Sequence, residues 1–146
     1  MVRCFEVPGM PEGKGRPRYN ARGGMVHTYT PKKTVEYEKR VLEAYCAEHG
    51  SRDPYQGAVG MRIFATYPVP KSWPKKRREL ALHGLLKPCV KPDLDNLCKA
   101  VMDALNGVAY CDDKQVVRII ATKTYGENAS VQVELREEGC NAETDA

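Results

Sequence analysis

The chain has 146 residues, a length that suits one domain with a single modest core. Its formal net charge is +4, but basic residues concentrate between residues 71 and 91, whereas the charges after Glu127 are almost all acidic. This separation favours one face for a polyanionic partner and a tail held away from it. The chain begins with no apolar signal segment and contains no apolar run as long as a membrane span. We therefore expect a cytoplasmic protein with no membrane partner.

The six cysteines give no sign of a metal or disulfide framework, because no pair has CxxC spacing and the gaps match no common zinc module. We expect reduced thiols, as in other cytoplasmic proteins. Cys46 and Cys98 are predicted to be buried as small hydrophobic side chains, and the same is one option for Cys111.

The first part of the chain predicts a strand followed by a basic loop. Residues 2 to 7 alternate as a strand does, and residues 8 to 24 form a loop by their Gly, Pro and Arg content. Basic side chains of this loop could clamp phosphates, and Tyr19 could stack on a base. The alternative is a solvated hairpin tip, with residues 26 to 29 as its return strand. The basic side chains concerned are Lys14, Arg16 and Arg18.

A long helix is predicted from Pro31 to about Glu48, with Thr30 as its N-cap. Core packing is the predicted role of its apolar positions, which are Val35, Tyr37, Val41, Leu42, Ala44, Tyr45 and Cys46. Residues 58 to 67 alternate as a second strand. Ser72 is the predicted N-cap of a short helix over residues 73 to 83. Its basic run is either a polyanion-binding patch or a solvated face, and consists of Lys75, Lys76, Arg77 and Arg78.

A third helix is predicted from Leu94 to Leu105, with apolar residues spaced by three and four positions. Asp93 is its predicted N-cap, and Asn106-Gly107 is its stop signal. Residues 116 to 125 and 131 to 135 predict two strands joined as an antiparallel hairpin. We expect the small, acidic residues 137 to 146 to be disordered.

The acids around the third helix form the main candidate site. A helix start and a strand start could bring together Asp93, Asp95 and one of the pair Asp112 and Asp113. Three converging carboxylates repel one another unless they share a cation. Ligation by oxygen alone, without His, suits Mg²⁺ or Mn²⁺ better than Zn²⁺. Lys99 would lie close to such a site, where it could stabilise charge on a phosphodiester or orient the attacking water.

Structural roles explain the same residues equally well at this point. Asp93 would then be only an N-cap, Asp95 and Lys99 only an i, i+4 pair, and Asp112-Asp113 only a solvated turn. An EF-hand loop is disfavoured, because the Gly and Glu that its pattern requires after Asp93 are missing.

The stretch KPDLDNLCKAVMDALNG, followed by CDDKQVV, resembles the RusA family of Holliday-junction resolvases, which are small Mg²⁺-dependent endonucleases of bacteria and phages. The family pattern has Asp-x-Asp-Asn, a Lys four residues after the second Asp, an Asp-Ala-Leu, and then Asp-Asp-x-Gln. Every element is present in order. The stretches KGRPR, TPKKT-x-EYE and PKSWPKKRR also look like the longer branch of this family. The resemblance covers the chain from about Val2 to Leu135.

The resemblance implies that Asp93, Asp95 and Asp113 carry catalysis as Mg²⁺ ligands, and that Lys99 is essential. Around them, Asn96 could orient a metal ligand, and Asp112 is the substitute for Asp113. Asp103 is assigned a structural role, with Lys99 as a possible partner. The resemblance also implies a four-way DNA junction as substrate and a homodimer, since a near two-fold substrate needs two coordinated cuts.

We therefore predict a single α+β domain over residues 1 to 136, with a mixed sheet of about four or five strands and helices mainly on one face. The leading functional hypothesis is a metal-dependent endonuclease for branched DNA. Two alternatives stay open, a non-catalytic protein that binds branched DNA and a metal-dependent nuclease for other branched nucleic acids.

Overall fold

The computed structural model describes residues 1–15 and 18–139. Within these ranges the elements are β1 (Val2–Pro8), β2 (Arg18–Arg22), β3 (Met25–Tyr29), α1 (Lys32–His49), β4 (Val59–Pro68), α2 (Lys75–Leu82), α3 (Leu94–Leu105), a short 3₁₀ turn (Asp113–Gln115), β5 (Val116–Gly126) and β6 (Ser130–Glu137). Arg16 and residues 140–146, which make up most of the predicted acidic tail, lie outside the described residues.

The main sheet has four strands in the order β1-β6-β4-β5. β6 pairs antiparallel with both β1 and β4, whereas β4 and β5 pair in parallel. The predicted mixed sheet is therefore confirmed. β2 and β3 form a separate antiparallel hairpin with Gly23 and Gly24 at its turn, and their φ angles of 60° and 80° suit the left-handed two-residue turn that joins tightly paired strands.

The predicted hairpin between β5 and β6 is wrong, because β4 lies between these two strands. On the inner face of β4, Val59, Met61 and Ile63 are almost fully buried, and the strand is paired along both of its edges, with β5 and with β6. The link from β5 to β6 must therefore pass the end of β4. Gly126 makes this possible, since a Cβ there would lie 2.6 Å from Cγ2 of Thr66.

Helices α1 and α3 cover one face of the main sheet, as predicted. Buried residues of both helices share one apolar cluster with the inward residues of β1, β4 and β6. The predicted core residues Tyr37, Val41 and Tyr45 of α1 are fully buried. On the opposite face, Arg62 and Phe64 of β4 are exposed, so that face carries no helix layer within the described residues.

Several local predictions need correction. Pro31 and Pro74, not Thr30 and Ser72, precede the first helical residues of α1 and α2, and neither helix has a side-chain cap. A proline fixes φ at a value that suits a helix start and lacks an N–H that would need a partner. Val35 is also exposed rather than in the core.

The cysteine predictions are confirmed only for Cys98, which is buried. Cys46 and Cys111 are exposed, because the first lies on the outer side of α1 and the second in the turn before β5. No helix in the described parts of the chain is long and apolar enough to cross a membrane.

Candidate active site

The first turn of α3 places two acids at the surface. The helix begins and ends where the sequence predicts, and Asp93 occupies the N-cap position. Its carboxylate makes no capping hydrogen bond, however, so the side chain is not engaged by the backbone of α3. Asp95 lies in the first turn, where the positive end of the helix dipole favours a negative charge. Both carboxylates are exposed and accessible to a large ligand.

Asp95, Lys99, Asp103 and Asp113 line one surface concavity, together with Cys98, Met102 and Ile119. The first three share a face of α3, as their spacing of four residues predicts. Asp113 reaches the same concavity from the 3₁₀ turn that precedes β5. The structure therefore brings Asp95 of α3 and Asp113 of the 3₁₀ turn to one concavity, whereas the predicted convergence with Asp93 is not seen there.

Asp93 and Asn96 line a neighbouring groove rather than this concavity. The groove lies between the start of α3, the N-terminal loop around Lys14 and the start of α1, where Lys33 is found. Lys91 also lines this groove. Asp93 and Asn96 in the groove and Asp95 in the concavity all belong to the start of α3, so both depressions adjoin this helix.

The predicted metal ligands Asp93, Asp95 and Asp113 do not lie close enough together to coordinate one metal ion. In residues 1–15 and 18–139, no group of three or more His, Cys, Asp or Glu side chains lies close enough together to hold a metal ion. The chemistry of the donors still fits Mg²⁺, since Asp93, Asp95 and Asp113 offer only carboxylate oxygens. Coordination by these three residues stays a prediction.

The concavity has a negative electrostatic environment. The pKa of Asp113 is raised, chiefly by a hydrogen bond with the carboxyl group of Asp112 and also by the charge of Asp103. The pKa of Asp112 is lowered, chiefly because it accepts a hydrogen bond from the backbone N–H of Lys114. Burial, followed by the charges of Asp113 and Asp103, raises the pKa of Tyr110. Carboxylates crowded in this way favour a bound cation.

Lys99 has no carboxylate partner, since none of the ion pairs among the described residues includes it. The interpretation of Asp95 and Lys99 as only an i, i+4 pair is therefore wrong, and so is the expected pairing of Lys99 with Asp103. The ammonium of Lys99 is exposed at the concavity.

The lysine that pairs with Asp103 is Lys14, whereas the sequence predicted Lys99. The Nζ atom of Lys14 lies 2.6 Å from Oε1 of Glu38 in α1 and 3.1 Å from Oδ2 of Asp103 in α3. Its backbone N–H donates to the carbonyl of Asn96 over 2.9 Å. Burial lowers the pKa of Lys14, but the hydrogen bonds to Glu38 and Asp103 outweigh it and the pKa is raised overall. The ammonium is thus bound within the protein, and contact between Lys14 and DNA stays a prediction.

The basic helix α2 is docked against the end of β5. The guanidinium of Arg77 lies 4.0 Å from the ring centroid of Trp73, whose ring meets Tyr125 edge to face with centroids 5.4 Å apart. Lys75, Lys76, Arg77 and Arg78 are all exposed. The backbone of Arg18 begins β2, while Arg16 lies outside the described residues.

Sequence reasoning gave no role to Gln115, although the structure makes it part of the site's framework. Asp112 and Gln115 form a capping box on the 3₁₀ turn that carries Asp113. The signal was present in the sequence, since an N-cap acid followed three residues later by Gln is the signature of a capping box.

Fold and site together define a small α+β domain with an exposed cluster of carboxylates and a free lysine beside two basic segments. The family of endodeoxyribonuclease RusA matches residues 8–136 of the chain, so the protein belongs to this family. The chain is also 42% identical, over 135 residues, to the uncharacterized protein YqaN of Bacillus subtilis (strain 168), an alignment that covers 91% of this chain and 94% of that protein. Members of the family are endodeoxyribonucleases that act on Holliday-junction DNA, and this chain is a nuclease of that family.

Proposed function

We propose that the protein is a Mg²⁺-dependent, structure-specific endonuclease that resolves Holliday junctions by paired, symmetric cleavage during DNA recombination and repair. The observation that carries this proposal is the shared concavity of Asp95, Lys99 and Asp113 in a chain of the RusA family. We place this activity in the cytoplasm of a bacterium, with the chain encoded either by the bacterium or by a phage.

Asp93, Asp95 and Asp113 would hold the Mg²⁺, or Mn²⁺ in its place. A bound divalent cation would supply activation of water and charge neutralisation at the scissile phosphate. Lys99 would donate hydrogen bonds to the phosphate oxygens on which charge develops, and its lack of a carboxylate partner leaves it available for this role. Asn96 and Asp112 would orient the ligand carboxylates beside them.

DNA would approach along the surface that carries the groove and α2. The exposed Lys75, Lys76, Arg77 and Arg78 would contact phosphates, and Arg16 and Arg18 would extend the contact from the N-terminal loop. Lys14 would contribute less to phosphate binding than these residues, since its ammonium is already shared by two carboxylates.

A homodimer is the assembly that suits this substrate. A four-way junction has near two-fold symmetry, and two copies related by a two-fold axis would place one site at each of two equivalent strands. Light scattering coupled to size-exclusion chromatography measures the mass directly. A monomer at micromolar concentration would count against the proposal.

The test is cleavage of a labelled synthetic four-way junction and of a matched linear duplex, in Mg²⁺ and in EDTA. We expect paired, symmetric nicks on the junction alone and only in Mg²⁺. Asp95→Asn should abolish cleavage while it preserves binding of the junction. Full activity of this variant in Mg²⁺ would refute the assignment of Asp95 as a metal ligand.

A second candidate is a protein that binds branched DNA without cleaving it. It is favoured because no three carboxylates among the described residues lie close enough together to hold a metal ion. Tight binding of the junction without cleavage in either Mg²⁺ or Mn²⁺ would support it. Equal cleavage of flap or RNA substrates would instead indicate a nuclease for other branched nucleic acids.

A further inference from the structure

The side-chain amide of Gln115 makes all four hydrogen bonds that an amide of this kind usually forms. Its Oε1 accepts from the backbone N–H groups of Cys111, at 2.8 Å, and Asp112, at 2.9 Å. Its Nε2 donates to the carbonyl of Tyr55, at 2.8 Å, and to that of Gly57, at 2.9 Å. The amide therefore ties the turn before β5 to the segment before β4.

The segment at Tyr55 is a fixed anchor for this turn. The Tyr55 ring is buried, and its hydroxyl donates to the carbonyl of Met1 over 2.7 Å. Its backbone N–H donates to the carbonyl of Ala109 over 2.8 Å. One of the two carbonyls that accept from Gln115 therefore belongs to a residue that is hydrogen-bonded through both its side chain and its backbone.

The other side of the turn is fixed to α3. Tyr110 is fully buried, and its hydroxyl donates to the carbonyl of Met102 over 2.7 Å. The residues from 110 to 115 are thus attached to α3 through Tyr110 and to the segment before β4 through Gln115. Asp113 lies between these two attachments and faces the concavity that Asp95 lines from α3.

We propose that Gln115 is a positioning residue that holds the Asp113 carboxylate where it can share a divalent cation with Asp95. This inference rests on the proposed function, because it assumes that Asp113 is a metal ligand. The competing explanation is that Gln115 only stabilises a short turn. The two explanations differ in whether cation affinity depends on the bonds from Nε2 to the 55–57 segment.

Gln115→Glu removes only the two hydrogen bonds that Nε2 donates to the 55–57 segment. Glutamate has nearly the same shape as glutamine and still accepts from the N–H groups of Cys111 and Asp112. It cannot donate to the carbonyls of Tyr55 and Gly57, and it sets a negative charge against them. Gln56→Glu is the matched control. It adds the same charge to the 55–57 segment, where the exposed Gln56 side chain donates to the carbonyl of Pro54 and accepts from Sγ of Cys111 but makes no hydrogen bond with Gln115. Glutamate at position 56 can still accept from Cys111.

The experiment measures direct binding of Mn²⁺ to the purified full-length protein by calorimetry and by electron paramagnetic resonance, without DNA. We expect Gln115→Glu to weaken Mn²⁺ binding by about 10- to 100-fold, the range typical when the partner of a metal ligand is lost. Gln56→Glu should leave the affinity unchanged, and Asp113→Asn should weaken it at least as much as Gln115→Glu. If Gln115→Glu does not fold, as judged by circular dichroism, Gln115→Asn is measured in its place, because its amide is too short to reach both partners.

The outcomes separate this inference from the proposed function. Unchanged Mn²⁺ affinity in Gln115→Glu, with loss of affinity in Asp113→Asn, would overturn the positioning role and leave the proposed metal site in place. Unchanged affinity and full cleavage in Asp113→Asn would overturn both. Equal loss in Gln56→Glu and Gln115→Glu would show a non-specific disturbance of the 55–57 segment, since an added negative charge by itself would strengthen cation binding, and would also overturn the positioning role.

Discussion

The Nζ atom of Lys14 lies 3.1 Å from Oδ2 of Asp103, so the N-terminal loop is joined to the helix that carries the candidate site. The same ammonium contacts Glu38 of α1, and the three side chains are only 20%, 22% and 29% exposed for Lys14, Glu38 and Asp103. One cation therefore pairs with two carboxylates at the junction of the loop and both main helices, and one net negative charge is left. The Oδ2 atom of Asp103 is thereby occupied by Lys14, although the charge of Asp103 still acts on Asp113.

Replacement of Lys14 by Met should destabilise the protein by about 1–3 kcal/mol, because it leaves two half-buried carboxylates without a cation. Urea unfolding measures the change in the free energy of unfolding. Lys39→Met is the control, since Lys39 is 75% exposed and lies 3.9 Å from Glu43, and it should change stability by less than about 0.5 kcal/mol. Unaltered stability of the Lys14 variant, with weaker and less salt-dependent junction binding, would instead identify Lys14 as a phosphate contact.

The N-terminal loop should tolerate no side chain at Gly13. A Cβ there would lie 2.8 Å from Cβ of Pro92 and 2.9 Å from Cβ of Asn96, so Gly13→Ala should push the loop away from α3. We expect a loss of about 1–3 kcal/mol, as for overpacking elsewhere, together with weaker junction binding because the basic residues that follow are displaced. Gly57→Ala is the matched control, since no atom lies within 4 Å of its Cβ position. Equal stability of the two variants by thermal unfolding would contradict this packing argument.

Much of the helical structure could be predicted from the sequence, but the partners of several charges could not. The bounds of α3 follow from a local pattern of apolar residues and from the Asn106-Gly107 stop, both of which act within one element. Strand order depends on which strand pairs along both of its edges, and local alternation does not contain this information, so it led to the wrong β5–β6 hairpin. The ion pairs of Lys14 join residues 24 and 89 positions apart in the chain, and spacing within one helix gives no information about them.

Stability should decrease at alkaline pH because of buried tyrosines. Burial raises the pKa of both Tyr37 and Tyr110 above the ordinary value of 10.0. As the pH rises through that value, the unfolded chain loses phenolic protons that the folded protein keeps. The free energy of unfolding should therefore fall by up to about 1.4 kcal/mol per pH unit for each tyrosine. Urea unfolding between about pH 9 and 11 measures this slope. Tyr37→Phe should reduce it, and an equal slope in this variant would refute the contribution of Tyr37.

Lys99 should affect cleavage without affecting the fold. Its exposed ammonium has no carboxylate partner among the described residues, so Lys99→Met should leave the unfolding temperature unchanged. Loss of a donor aimed at developing charge typically costs roughly 10²- to 10³-fold in rate, and we expect a reduction of this size in single-turnover junction cleavage at saturating Mg²⁺. Junction affinity, measured by gel shift in EDTA, should fall little, because Lys99 would act mainly in the transition state. If the variant instead lost junction affinity in proportion to cleavage, Lys99 would be a binding contact, and the acidic concavity would need another residue to stabilise the scissile phosphate.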